Sequence, residues 1–356
     1  FCTMVDTIMT IISTCCKMVV LVVWKSYIAY LVVGILNNVI SNLIIAWRSK
    51  KSFPDIVKTK VTKEDFKKLN LWYDVKNMMA TKIAGTIYGS SDSIIITAVL
   101  GVGVVGLVNN YQMISSKIQE FILSIFQALQ AGIGNMVYDK DAKKGISFFY
   151  ALDLVGFYLG LTAAVGMVVV GQDFILVWLK NRDFHLPFLF LFLLSLNVFV
   201  SICNNPMNYF RNTLGHFESD RNYMIAAAVV NVAFTLLLAK PMGVAGVMVG
   251  TVAGHLLIFM GRTVVVYKHY TKKSPVEYYI RFALRLGIFS CISLGTAFLS
   301  GFIGVGGVAG VLIKGIISVL VSGVVFLIYS FKREEFQVLL SYGRTVALMV
   351  IRKGKD

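Results

Sequence analysis

Long, uninterrupted apolar runs, such as residues 148–170 and 186–203, constrain the fold of this chain more than any other feature. The hydrocarbon core of a bilayer is about 30 Å thick, and a helix needs about 20 apolar residues to cross it. Inside lipid, backbone N–H and C=O groups must be paired within the chain, which leaves α-helices or a closed β-barrel. Because the runs are continuously apolar rather than alternating, the sequence predicts an all-α polytopic membrane protein.

Hydropathy predicts about ten transmembrane helices in this chain. Their approximate bounds are residues 7–23, 27–47, 78–99, 104–130, 146–170, 186–205, 223–239, 243–262, 282–303 and 306–330. The longest connection, residues 48–77, is basic and has the pattern of an amphipathic helix. It is the best candidate for a domain boundary, because it separates the first two spans from the others.

Lys and Arg residues, 34 in all, are distributed unevenly among the connections. Connections rich in them alternate along the chain with connections that hold few. The rich ones are residues 48–77, 138–145, 209–222, 262–281 and the tail after Phe331. Because Lys and Arg are retained on the cytoplasmic side, we expect these connections and the carboxyl terminus to be cytoplasmic. The net charge of +16 then reflects contact with anionic lipid headgroups rather than with nucleic acid.

No pattern in the sequence indicates a metal, a cofactor or an enzyme active site. The 5 cysteines lie in or beside apolar segments and are interpreted as small buried hydrophobic residues, and the 4 histidines are scattered. Gly101, Gly103 and Gly106 spell the dinucleotide fingerprint G-x-G-x-x-G. They fall in a short turn between two apolar helices, without the βαβ unit that such a site requires, so we reject this interpretation.

Glycines recur at four-residue spacing within several spans, which places them on one face of each helix. Small residues at this spacing let neighbouring transmembrane helices approach closely, so we expect them at helix contacts. The sets are Gly246, Gly250 and Gly254; Gly85 and Gly89; and Gly156 and Gly160.

Ionisable side chains at membrane depth are costly and usually face the interior of a bundle or a water-filled cavity. Asp92, Lys117 and Glu120 lie in two consecutive spans, far from the span ends. The levels of Asp92 and Lys117 differ by only about 8 Å along the helices, a distance that a lysine can cover. We therefore expect Asp92 and Glu120 to orient Lys117 at a cavity, with a structural ion pair as the alternative.

Further polar residues complete the set of candidates for a substrate cavity. Lys82 and Arg285 lie about one turn from the cytoplasmic ends of their spans, so snorkelling to the interface is the alternative for both. Asn109 and Gln112 belong to a polar series on the span that carries Lys117. The full set of candidates is Lys117, Asp92, Glu120, Lys82, Asn109, Gln112, Asp153, Lys314 and Arg285.

A series of motifs resembles one family of transporters. Residues 85–108 overlap the segment SSDSIIITAVLGVGVVGLVNNYQMI (90–114). They are followed by IGNMVYDKDAKKG (133–145), FILVWLK (174–180), NPMNYFRNTLGHFESDRN (205–222) and GVAGVMVGT (243–251). In this order they resemble Wzx-type lipid-linked oligosaccharide flippases. These proteins belong to the polysaccharide-transporter branch of the multidrug/oligosaccharidyl-lipid/polysaccharide exporter superfamily. The resemblance covers nearly the whole chain.

The family resemblance implies an architecture. Such proteins resemble two six-helix lobes around a central cavity, often with two extra carboxyl-terminal helices. In that register the chain holds helices 5–14 and lacks the first four, Asp92 falls at the family's aspartate in helix seven, and Lys117 falls at a polar stretch of helix eight. The expected segments are the remainder of the N-terminal lobe (1–47), a cytoplasmic basic linker (48–77), a C-terminal six-helix lobe (78–262), and two additional helices with a cytoplasmic tail (263–356).

The resemblance also implies a function. It is the flipping of undecaprenyl-pyrophosphate-linked oligosaccharide repeat units across the inner (cytoplasmic) membrane for surface polysaccharides such as lipopolysaccharide or exopolysaccharide. The expected partners are membrane lipid, the lipid-linked oligosaccharide, polysaccharide polymerases and glycosyltransferases. One alternative is a cation-coupled multidrug antiporter of the same superfamily. A weaker alternative is a polysaccharide polymerase or membrane glycosyltransferase, but the sequence shows neither a large outer loop nor carboxylates for a sugar nucleotide.

Overall fold

The computed structural model describes residues 2–52, 71–137, 142–180, 182–215 and 217–341. Helices account for nearly all of them, and no strand occurs within these ranges. The all-α fold expected from the apolar runs is therefore confirmed. The chain divides into two compact units, Phe1–Leu71 and Trp72–Asp356.

In the first unit, residues 2–52 form two long helices, α1 (Cys2–Val23) and α2 (Tyr27–Ser52). Lys17 of α1 lies against α2, where its Nζ atom is 5.1 Å from the ring centroid of Tyr30. Most apolar side chains of this unit are exposed, as expected for helices whose surfaces meet lipid or other helices.

The described residues of the second unit form nine further helices, numbered here in chain order. They are α3 (Leu71–Leu100), α4 (Val102–Val137), α5 (Ala142–Leu179), α6 (Phe188–Cys203), α7 (Asn205–Leu214), α8 (Phe217–Met242), α9 (Val244–Val266), α10 (Val276–Ser300) and α11 (Gly307–Ser330). A short 3-10 turn precedes α6, and a π-helical turn, Tyr267–Thr271, extends α9.

Within the described ranges, 9 helices are long and apolar enough to cross a membrane, and α6 and α7 count together as one of them. The 36-residue helix α4 is not in this group, because polar side chains along it lower its hydropathy. The expected ten spans therefore correspond to the nine apolar helices and α4. The basic amphipathic helix expected in residues 48–77 falls largely on residues 53–70, which lie outside the described residues.

The core of the second unit is built from aromatic rings of α5, α6, α9 and α10. The ring of Phe199 in α6 stacks on Phe289 of α10 at a centroid distance of 5.0 Å and meets Phe157 of α5 edge-on at 6.2 Å. Phe259 of α9 stacks on Phe282 of α10 at 4.0 Å. Because large rings bury much area in offset or edge-on contacts, these residues hold the four helices in one register.

Glycines set the spacing of several helix pairs, as their four-residue periodicity predicts. A Cβ atom at Gly250 of α9 would lie 2.7 Å from the carbonyl oxygen of Asn231 in α8, and one at Gly254 would lie 3.1 Å from that of Ala227. Gly156 and Gly160 of α5 similarly face the break between α6 and α7. Gly89 is an exception, because nothing lies within 4 Å of the position that an added Cβ atom would occupy. The prediction of a close helix contact at Gly89 is therefore wrong.

The G-x-G-x-x-G sequence lies in a tight turn and not in a nucleotide site. Gly101 alone separates α3 from α4, and its φ of 99° is in the left-handed region that glycine adopts without strain. Gly103 and Gly106 already belong to α4. The motif therefore reverses the chain between two helices.

We expect Gly250→Leu to destabilise the protein, because the added side chain would force α8 and α9 apart. Overpacking a close contact costs about 1–3 kcal/mol, and backbone atoms cannot move aside as side chains can. The midpoint of thermal unfolding in detergent should fall together with expression. Gly89→Leu, at an open site on another helix, is the matched control and should leave both unchanged. A well-expressed, stable but inactive Gly250→Leu protein would instead assign Gly250 to a transport site.

Candidate functional site

One face of α4 carries an exposed row of polar side chains, which we call the polar stripe. Its members are Asn109, Ser116, Lys117, Glu120, Ser124 and Gln127, all of them exposed. From Asn109 to Gln127 the stripe extends about 27 Å at 1.5 Å per residue. That length is close to the thickness of the hydrocarbon core of a bilayer, about 30 Å.

The orientation of α4 follows from its opposite face, which is buried. Tyr111 is fully buried, donates a hydrogen bond to the carbonyl oxygen of Phe184 at 3.0 Å and meets the ring of Phe190 edge-on. Further along the helix, the ring of Phe126 stacks on Tyr209 at 6.3 Å. These contacts fix the rotation of α4 and leave the polar stripe on the outside of the second unit.

The polar stripe brings together three of the predicted site residues. The Lys117 ammonium pairs with the Glu120 carboxylate at 2.7 Å, and these side chains are 70% and 60% exposed. Asn109 lies on the same face, and Gln112 is half-buried beside it. An exposed ion pair of this kind contributes little to stability, so its charges are available to a ligand.

An apolar groove of about 640 Å³ adjoins the stripe between α4 and α5. Its walls include Met113, Phe121, Leu159 and Trp178, and Lys117 also lines it. The site therefore combines an apolar surface with a positive charge at its edge, an arrangement that suits a lipid with an anionic head.

The structure corrects the expected pairing of Lys117 with Asp92. Asp92 is buried, and its carboxylate accepts hydrogen bonds from Thr251 Oγ1 at 2.6 Å and from Asn231 Nδ2 at 3.2 Å. Ser91 Oγ in turn donates to Asn231 Oδ1 at 2.8 Å. The position of Asp92 along its span does not reveal how α3 is rotated about its own axis. In the structure, this rotation directs the Asp92 side chain towards α8 and α9.

Asn231 and Thr251, the partners of Asp92, were not predicted from the sequence, because both lie on spans without an intramembrane charge. Asn231 interrupts the apolar run of α8, and this isolated amide was the signal that could have indicated it. His255 of α9 is a further buried polar group, bonded through Nδ1 to Oδ1 of Asn197 in α6. A row of polar contacts thus joins α3, α6, α8 and α9 inside the unit.

Asp153 and Arg285 form a buried ion pair between α5 and α10. Arg285 Nη2 lies 2.8 Å from Asp153 Oδ2, and both side chains are at most 2% exposed. Tyr278 donates a hydrogen bond to Asp153 Oδ1 at 2.6 Å, and Arg285 Nε donates to the hydroxyl of Tyr329 in α11 at 3.2 Å. Arg285 therefore does not snorkel to the interface. Its contacts join α10 to α5 and α11.

The remaining two predicted cations lie in other surroundings. Lys314 of α11 pairs with Asp173 of α5 at 2.6 Å, which adds a second ionic contact between the carboxyl-terminal helices and α5. Lys82 is exposed on α3 and lines a separate groove together with Arg211 and Arg262. The sequence therefore located the intramembrane charges, but the structure distributes them over five separate places.

Ligand sets for metal ions are absent from the described ranges, where no group of three or more His, Cys, Asp or Glu side chains could hold an ion. Of the four cysteines whose side chains the structure describes, Cys203 is buried as expected, whereas Cys15, Cys16 and Cys291 are exposed. The correction has a simple cause, because a thiol is apolar enough to lie on a helix surface that faces lipid.

Comparisons with known proteins define the class of this fold. Residues 2–130, which include α1–α3 and most of α4, match the model of a family described as "Polysaccharide biosynthesis protein". No curated protein matches the chain. A solved structure with a similar fold is that of the lipid II flippase MurJ in an inward closed conformation, with a TM-score of 0.59, 13% identity, and coverage of 92% of this chain and 67% of that one. The chain therefore has an all-helical membrane-protein fold similar to that of this flippase.

The buried ion pair yields a prediction about stability. Asp153→Leu would leave the guanidinium of Arg285 unpaired in an apolar interior, which costs about 3–5 kcal/mol. The double variant Asp153→Leu, Arg285→Met removes both charges and should recover most of that loss. The midpoint of thermal unfolding in detergent measures both effects.

Asp173→Leu is the matched control for this comparison. Asp173 and Lys314 are 36% and 14% exposed in their pair, against at most 2% for Asp153 and Arg285, so removal of Asp173 should cost clearly less than removal of Asp153. If Asp153→Leu unfolds at the wild-type temperature, the pair with Arg285 does not stabilise the bundle.

Proposed function

We propose that the protein flips lipid-linked oligosaccharides, carried on undecaprenyl pyrophosphate, from the cytoplasmic to the outer leaflet for surface polysaccharide synthesis. The observation that carries this proposal is the polar stripe of α4. Polar groups facing hydrocarbon over about 27 Å would be strongly unfavourable, so the stripe is expected to face a hydrated path.

Transport of this kind requires no covalent chemistry. The barrier is the transfer of sugar hydroxyls and a pyrophosphate out of water, and unpaired polar groups in an apolar medium cost several kcal/mol each. Hydroxyl, amide and ammonium groups spaced along one helix replace, one after another, the hydrogen bonds to water that the substrate loses. This agrees with the expectation that the protein is not an enzyme.

The amphipathic character of the site supports a lipid-linked substrate. The Lys117 ammonium suits the pyrophosphate, and the apolar groove between α4 and α5 suits the first isoprene units of the lipid. The match to a polysaccharide biosynthesis family and the fold similarity to a lipid II flippase both favour a substrate that joins a glycan to a lipid.

The proposal includes a place in the cell and a set of partners. The connections rich in Lys and Arg are assigned to the cytoplasm, which puts the carboxyl terminus there and the protein in the inner membrane. Glycosyltransferases would then supply the substrate on the cytoplasmic face, and a polysaccharide polymerase would consume it outside.

A cation-coupled multidrug antiporter is the second candidate, and the surroundings of Asp92 favour it. The carboxylate is buried among hydroxyl and amide groups, where it can take up a proton or a cation. Proteoliposomes under a proton gradient distinguish the two functions. An antiporter would move a fluorescent cationic drug, whereas a flippase would move lipid-linked oligosaccharide and leave the drug in place.

The proposal predicts that Lys117→Ala lowers the rate of flipping roughly tenfold or more, because it removes a charged contact worth about 2 kcal/mol. Lys117→Arg should retain part of the rate, since the charge survives while the geometry changes. The assay is the appearance of lipid-linked oligosaccharide in the outer leaflet of proteoliposomes, detected by an added lectin. Lys240→Ala, which removes an exposed lysine at the end of α8, is the control and should flip at the wild-type rate.

A double variant distinguishes two possible roles of Lys117, which are to bind the anionic substrate or to neutralise Glu120. If Lys117 serves only to neutralise Glu120, then Lys117→Ala, Glu120→Gln should restore flipping. If Lys117 contacts the pyrophosphate, the double variant should stay as slow as Lys117→Ala. Wild-type flipping by a well-expressed Lys117→Ala protein would remove Lys117 from the site.

A further inference from the structure

A second groove, of about 610 Å³, lies where α3, α7, α8 and α9 meet. We call it the basic groove. Among the described residues, its charged lining is Lys82, Arg211, Asp220 and Arg262. The flipping function proposed above does not use this groove.

The arginines of the basic groove are held in place by buried contacts. Asp220 is 2% exposed, and its carboxylate pairs with Arg262 Nε at 2.8 Å and with Arg211 Nη2 at 3.2 Å. Asn208 accepts a further hydrogen bond from Arg211 Nη2 at 2.9 Å. A single carboxylate thus orients two guanidinium groups.

Lys82 adds an exposed ammonium group to the two guanidinium groups held by Asp220. Its side chain lines the groove from α3, and the arginines line it from α7 and α9. Guanidinium groups in fixed positions recognise the oxygens of phosphate groups, and an ammonium on a flexible stem adds a point charge. The combination of fixed guanidinium groups and an exposed ammonium is suited to a phosphate group.

The position of the groove indicates which phosphates can reach it. It lies beside the junction of α7 and α8, near the end of the unit where the connections are rich in Lys and Arg. Its wall also contains Met78 and Met224, so an apolar surface adjoins the charges. Basic side chains at this level meet the headgroups of anionic lipids.

We propose that the basic groove binds a phosphate group. The phosphate is supplied either by the headgroup of an anionic phospholipid in the cytoplasmic leaflet or by a soluble phosphate compound. This site is distinct from the polar stripe, and its existence does not depend on the substrate that the protein flips.

The test uses the purified protein in detergent with two probes, dioleoylphosphatidylglycerol and inorganic pyrophosphate. Native mass spectrometry gives the affinity for the lipid, with dioleoylphosphatidylcholine as the zwitterionic reference of zero net charge, and added pyrophosphate gives the competition. Lys82→Gln should weaken binding of the phosphate probe roughly fivefold, the effect of one basic residue at a headgroup. Lys76→Gln, an equal charge change at an exposed position on the same helix, should leave binding unchanged.

The two sources of phosphate give different results, and each supports the site. Binding of phosphatidylglycerol that pyrophosphate cannot displace indicates a lipid headgroup, whereas displacement at similar concentrations indicates a soluble phosphate. The proposal is overturned if the wild-type protein binds neither probe, if Lys82→Gln binds as wild type, or if Lys76→Gln weakens binding equally. Unchanged midpoints of thermal unfolding for both variants ensure that a loss of probe binding reflects the site and not the fold.

Discussion

The absence of water from the core of a bilayer governs where each polar group of this chain lies. Backbone groups are satisfied within long helices, and buried side-chain groups must find partners on neighbouring helices. The Asp153–Arg285 pair meets this requirement between α5 and α10, and the hydrogen bonds of Asp92 meet it among α3, α8 and α9. The same contacts that satisfy these groups therefore also determine how the helices pack.

Close packing and polar pairing depend on each other in the pair α8 and α9. Gly250 allows the backbone of α9 to approach the carbonyl oxygen of Asn231, and this approach brings Asn231 and Thr251 together on the carboxylate of Asp92. A larger residue at position 250 would separate the helices and leave Asp92 without these donors. The glycine periodicity thus supports a polar network as well as a van der Waals contact.

The polar side chains of α4 behave differently from these buried groups. Lys117 and Glu120 find each other on one exposed face, while the opposite face is anchored through Tyr111 and Phe126. A helix that is firmly packed on one side and polar along the other is suited to line a path for hydrophilic groups. In our proposal, substrate passage therefore depends on exposed groups, and the stability of the bundle depends on paired ones.

Local sequence patterns determined the helical class, the approximate spans, the glycine contacts of α9 and the pairing of Lys117 with Glu120 on one helical face. Each depends on spacing within a single helix, which the sequence displays directly. Only the tertiary structure decided that Asp92 bonds to residues 139 and 159 positions away, and that Lys82 shares a groove with two arginines. Such contacts depend on the rotation and register of one helix against another. Apolar surfaces of similar composition permit many such arrangements, and the packed side chains of the whole bundle select one.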